Sequence, residues 1–135
     1  MANAIYDKFR QARMTADVNI DLENEDVRFI LVDAADYTFS QVHDMLDDVP
    51  AGARVAVSAA LAGKTVIDGI FDASDTTLTA VTGDPSEALI FYRHTGVEST
   101  SRLICYIDTG ITGLPVMPNG GDIMFVWNVS GIFKS

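Results

Sequence analysis

Histidine, cysteine and the carboxylates are the residues of this chain that could do chemistry, and their spacing decides whether they do. There are two histidines, His43 and His94. Neither has a cysteine or a second histidine at ligand spacing, so the pattern predicts no zinc centre. Each is expected to be a structural or surface histidine. The single cysteine, Cys105, lies inside the apolar run Leu103-Ile104-Cys105-Tyr106-Ile107. Nothing electropositive beside it lowers its pKa, which predicts a buried, inert thiol and not a nucleophile. Serines are plentiful, but none sits in a glycine-flanked nucleophile elbow. Gly120-Gly121 falls in a proline-rich loop and not at the start of a helix, where it could cradle phosphate.

Carboxylates are the one dense resource. Asp21, Glu23, Glu25 and Asp26 form one run, and Asp44, Asp47 and Asp48 another. Oxygen ligands so close together could hold calcium. The first run, however, lacks the glycine and the distal glutamate of an EF-hand loop. Turn formation and solubility are the ordinary work of such acids. A glycosidase-type pair needs two carboxylates facing each other across a cleft, which spacing alone does not specify. The residue chemistry therefore predicts no catalytic residue, no cofactor and no resident metal.

The elements that carry these residues read as strands. Leu89-Ile90-Phe91-Tyr92 and Leu103–Ile107 are short, dense runs of β-branched and aromatic residues. Gly96 turns the polar connector between them, so they predict a central antiparallel pair, apolar on both faces. Val18-Asn19-Ile20-Asp21-Leu22 alternates at period two, as a half-buried strand does. Val27–Val32 predicts a strand covered on both faces. From Ala53 onward the pattern is strand after strand. Arg54–Ala60 has Val55, Val57 and Ala59 on one face. Thr65–Asp72 reads as a single strand with Gly69 as a bulge. Thr77–Thr82 follows, and Ile123–Asn128 is a long strand with Ile123, Phe125 and Trp127 on one face. Asp108–Asp122, rich in Gly and Pro, is a loop.

Two helices are expected. Asn3 caps the first, whose stripe is Ile5, Phe9 and Ala12 or Ala16, widened by Tyr6. Thr38 or Ser40 caps a second, with Val42, Met45 and Leu46 as its stripe, ended by Val49-Pro50. The expected fold is mainly β: a single-domain antiparallel β-sandwich or barrel over residues 1–135, with residues 1–16 as a helical N-terminal arm and one short internal helix.

Composition narrows the function. A chain of 135 residues with 48% hydrophobic content can bury a core without disulfides or metal. No apolar stretch reaches the roughly 18 residues that span a bilayer, and the N-terminus lacks a signal-peptide core. The expectation is synthesis and folding in a cytoplasm, with no membrane partner. The formal net charge of −10 disfavours nucleic-acid binding. Residues 1–14 run against this trend, with Lys8, Arg10 and Arg13 against Asp7 alone. They form a solvated helix face or an arm for an acidic neighbour.

Several segments occur together in a familiar order. They are Ala2–Lys8, Val27–Asp33 followed by Asp36-Tyr37, Val49–Ala56, Gly63–Val66, Thr112–Val116, Pro118–Ile123 and the closing Ile132-Phe133-Lys134. In that order they resemble a family of small structural proteins of tailed-bacteriophage virions, encoded near the head genes. The resemblance covers nearly the whole chain and rests on turn and strand signatures. It implies a virion component, a capsid decoration (cement) subunit on the head exterior. Its partners would be the major capsid protein or other virion subunits, and it would be a homo-oligomer. It supplies no catalytic, cofactor or metal residue. The expected subunit contacts are Ile5, Tyr6, Phe9, Arg10 and Arg13 from the basic arm, with Trp127, Ile132 and Phe133 from the apolar end. An alternative is a tail- or fibre-associated module that binds a host surface through the Asp108–Asp122 loop and the His94–Ser101 connector. A third is a small acidic hydrolase, which needs at least two convergent carboxylates.

Overall fold

A computed structural model describes residues 3–17 and 21–134. In chain order the elements are β1 (Ala4–Ile5), α1 (Asp7–Met14), β2 (Val27–Val32), β3 (Arg54–Val57), β4 (Thr65–Ile67), β5 (Ile70–Asp72), β6 (Thr76–Leu78), β7 (Ala88–Arg93), β8 (Leu103–Ile107), β9 (Ile123–Phe125) and β10 (Phe133–Lys134). Single 3-10 turns lie at Leu46–Asp48, Ala51–Ala53 and Glu98–Thr100. The fold is mainly β and its strand pairs are antiparallel, as expected.

The central strands sit where their composition puts them. β2, β7 and β8 are the inner strands of a five-stranded sheet ordered β1-β8-β7-β2-β3. Because such strands are buried on both faces, they read as continuous apolar runs and not as alternation. One face carries Phe29, Leu31, Leu89, Phe91 and Cys105. It packs against two small sheets, β10-β5-β4 and β6-β9. The other face carries Ile30, Val32, Ala88, Ile90, Tyr92 and Tyr106, and the chain between β2 and β3 covers it with Tyr37, Leu46, Val49 and Ala53. The result is a sandwich with strands in one covering layer and turns in the other. β1 and β3 end the large sheet without pairing to each other, so no barrel closes among the described residues.

Several local expectations differ from the structure. Asn3 does not cap α1. Its side chain binds the backbone of Asp108 and Thr109, and Tyr6 takes the cap position after the short β1. The internal helix expected around Val42–Leu46 shrinks to the 3-10 turn at Leu46–Asp48. Its backbone is claimed elsewhere: Leu46 N–H bonds Ser101 O, Leu103 N–H bonds Asp44 O, and Met45 bridges Arg102. Cross-chain pairing thus overrides a weak helical preference, and Val42 stays 71% exposed. Thr65–Asp72 is a hairpin and not one bulged strand. Asp68 and Gly69 both have positive φ, 53° and 79°, which a two-residue type I′ turn requires.

The expected Arg54–Ala60 strand ends at Val57, leaving Val57 and Ala59 exposed. Residues 18–20 of the expected Val18–Leu22 strand lie outside the described residues, and Asp21 and Leu22 form a turn. The expected Thr77–Thr82 strand is only β6, ending at Leu78, and the expected long strand Ile123–Asn128 ends at Phe125. The alternation of Ile123, Phe125 and Trp127 nevertheless holds: all three are buried, and Met124 is exposed. The C-terminal apolar residues are tied into a sheet, because β10 pairs with β5.

Phe29 is the hub of the core. Its ring lies 5.6 Å from Phe91, 5.4 Å from Phe125 and 5.6 Å from Trp127, the last two edge-on. Such contacts add to the burial of a large apolar side chain. Phe29→Ala should therefore lower unfolding free energy by about 3–5 kcal/mol. Val42→Ala, on an exposed side chain, should stay within about 0.5 kcal/mol of the parent. Denaturant midpoints of the two variants measure both, and equal losses would refute this assignment of the core.

Candidate functional site

Most acids of the two runs are engaged in local hydrogen bonds. Glu25 accepts from Arg93 Nη2 at 2.6 Å and Nε at 3.0 Å. Asp26 holds Arg28 through two hydrogen bonds of 3.1 Å. Arg28 keeps the Asp26 carboxyl below its ordinary pKa, mainly by that hydrogen bonding. Glu23 accepts the Val66 N–H at 2.7 Å, and Asp21 accepts from the Asn24 side chain at 2.6 Å. In the second run, Asp48 accepts the Asp44 N–H at 2.8 Å, which lowers its pKa. Asp21, Glu23, Glu25, Asp26 and Asp48 thus fasten turns and strand ends.

The carboxylates that do converge come from three separate stretches. One oxygen each from Asp33, Asp36 and Asp84 lies within 4.8 Å of the others. Asp33 follows β2 and Asp84 precedes β7, and the pairing of Val32 with Ala88 brings those strand ends together. Asp36 reaches the same place through a turn in which its N–H bonds Asp33 O. Glu87 lies close by and accepts the Ala34 N–H at 2.9 Å. None of the three takes part in an ion pair among the described residues. The acids are therefore not wholly dispersed: one end of the central sheet concentrates negative charge. The strand pairing of Val27–Val32 with Ala88–Arg93 was the signal that could have placed Asp33 beside Asp84.

Each histidine is partnered by a tyrosine hydroxyl. His43 Nδ1 lies 2.8 Å from Tyr37 Oη, which lies 2.9 Å from the fully buried Tyr6 Oη. His94 Nδ1 lies 3.4 Å from Tyr92 Oη. Cys105 is buried, and burial pushes its thiol well above the ordinary value. That shift is opposite to the one that activates a nucleophile.

The structure redistributes the expected contact residues. Ile5, Tyr6, Phe9, Trp127 and Ile132 are buried in the chain's own core, so they present little surface to a partner. Phe9 packs edge-on against Phe133 at 6.4 Å. From Ala4 to Met14 the segment is thus docked on its own body: β1 pairs with β8, and α1 buries Phe9 and Ala12. Arg10, Arg13 and Phe133 keep exposed surface. Arg13 and Phe133 line a groove of about 350 Å³ with Phe9, Leu22 and Val66. The His94–Ser101 connector and the Asp108–Asp122 loop leave opposite ends of the β7–β8 hairpin, so they do not make one contact surface. A further groove of about 360 Å³ runs between β3 and the segment from Thr77 to Thr82. No family model and no curated protein matches the chain.

The tyrosines give this packing a pH signature. All four are raised from the ordinary 10.0, mainly because burial disfavours the phenolate, with Tyr106 pushed up to about 12 and Tyr6 higher still. An acid raised on folding holds its proton where the unfolded chain has lost it. Its contribution is complete below the unfolded pKa and is lost as pH rises above it. Stability should therefore decline from about pH 10 upward, and native phenolate absorbance should lag behind that of the denatured chain. An absorbance titration followed alongside circular dichroism tests this. Four phenols ionising together near pH 10 in a chain that is still folded would contradict it.

Proposed function

We propose that this protein is a structural subunit of a tailed-bacteriophage virion, a decoration subunit that binds and stabilises the head exterior through protein–protein contacts. The observation that carries the reading is where the resembling segments fall. Val49–Ala56 spans the turn at Ala51–Ala53 and enters β3. Gly63–Val66 opens the β4–β5 hairpin, Pro118–Ile123 leads into β9, and Ile132-Phe133-Lys134 forms the closing edge. Val27–Asp33 supplies the inner strand β2, and the others specify turns and sheet edges, which is what a protein working by contact needs. An acidic surface suits a high-copy subunit that must stay soluble and avoid packaged DNA.

The head reading is preferred to a tail- or fibre-borne host-binding module because the two loops that module would use sit at opposite ends of the central hairpin. Contact duty falls instead on sheet edges and on the surface around Arg10, Arg13 and Phe133.

Electron microscopy of intact particles, with stoichiometry from purified virions, tests the proposal. The expected result is density on the outer head surface at a copy number comparable to the capsid protein. A few copies confined to the tail, or no copies in the particle, would overturn it.

A further inference from the structure

We infer that the free edge of β3 is where a second copy of this chain docks, edge to edge, so that the five-stranded sheet continues across a two-fold axis. The register supplies the first argument. Ser58 N–H donates to Phe29 O at 2.9 Å, and Leu31 pairs with Ala56 two residues on. Antiparallel ladders alternate, so Val57, opposite Ile30, turns its N–H and C=O away from β2. β3 is the last strand of its sheet, so among the described residues no further strand receives them. Val57 is also 49% exposed.

The second argument is how three other edges, those of β4, β10 and β1, are protected. On β4 the Val66 N–H is taken by the Glu23 carboxylate, while Lys64 Nζ reaches Glu25 O. β10 ends in Lys134, and β1 is only two residues long. Charged residues and short strands are the usual protections of an edge. β3 has neither beyond Arg54, whose guanidinium is turned to the carbonyls of Leu46 and Val49 and to Glu98.

Charge argues for a second copy as the occupant. On a chain of net charge −10, Val55 through Gly63 contains no charged residue, and neither does Thr76 through Gly83. These two stretches are the walls of one groove. A two-fold contact sets a surface against itself. Here it sets Val57 against Val57 of the other copy and brings no like charges face to face in the strand. At β10 it would oppose Lys134 to Lys134. Edge pairing alone buries less than the roughly 1,200 Å² of a strong interface, so the dimer is weak and concentration-dependent.

Sedimentation equilibrium of the full chain over a wide concentration range tests the inference. The mass should rise from 14.6 kDa toward twice that value. Added salt, which screens the net repulsion, should tighten the association. Val57→Lys and Ala59→Lys should each weaken it at least tenfold with the thermal midpoint of the monomer unchanged, while Val57→Thr should retain it. A wild-type chain that stays monomeric throughout overturns the inference, as does a dimer that is insensitive to both lysines but lost on Phe133→Asp. The inference stands apart from the virion reading. A protein that dimerises through β3 but is missing from particles would keep it and sink that reading.

Discussion

The six-residue ladder between β2 and β7 is the constraint on which the rest of the molecule depends. Val27 to Val32 pair one for one with Arg93 to Ala88, and nearly every side chain in that ladder is buried on one face or the other. A strand pair buried on both sides cannot stand alone, because each face needs its own cover. β8, β1 and β3 extend the sheet, and the two small sheets and the chain between β2 and β3 cover its two faces. The opposite chemistry of the two covers follows from what each has to hide.

The strand-built cover hides an aromatic core. Phe29, Phe91, Phe125 and Trp127 meet there, and the indole N–H finds Ser74 O at 2.9 Å. Small sheets suffice because their backbones pair among themselves. The turn-built cover has no such ladder, and buried irregular backbone must find its hydrogen bonds elsewhere. Arg54 serves that need: its guanidinium donates to Leu46 O at 2.9 Å and to Val49 O at 2.6 Å. The Tyr6–Tyr37–His43 chain does the same for hydroxyls that would otherwise be stranded under the turns. The titratable groups most displaced by burial thus belong to packing, and their pKa shifts follow from the cover they sit beneath.

This division explains which parts were legible in the sequence. Strands covered on both faces announce themselves as apolar runs, so β2, β7 and β8 could be read directly. So could the alternation of Ile123, Phe125 and Trp127. The turn cover could not. Val42, Met45 and Leu46 have helical spacing, but Ser101 and Leu103 take the backbone bonds that a helix would need, and those partners lie more than fifty residues away. Asp68-Gly69 was a local signal, a turn dipeptide masked by β-branched residues on either side. The convergence of Asp33, Asp36 and Asp84 depends on strand pairing and not on spacing, whereas the two dense acidic runs were spent on arginines and backbone amides. Burial of Ile5, Tyr6, Phe9, Trp127 and Ile132 follows the same logic. Apolar residues near a chain end satisfy their own core first.

The surface that remains is set by how an open sheet lives on an acidic chain. Net charge of −10 keeps copies apart at long range. Short-range pairing needs a free strand edge and the local absence of that charge, and the two requirements pull against each other along most of the surface. They coincide at β3. Ser58 takes the Phe29 N–H with its hydroxyl at 3.0 Å, ending the ladder with a side chain and not with another strand. The chain then runs through alanines to Leu61, whose N–H returns to Val27 O at 2.9 Å. Ending β3 in this way seals the edge of the core while leaving Val57 facing outward. The same local device closes the fold and leaves the outer edge of β3 without a partner strand among the described residues.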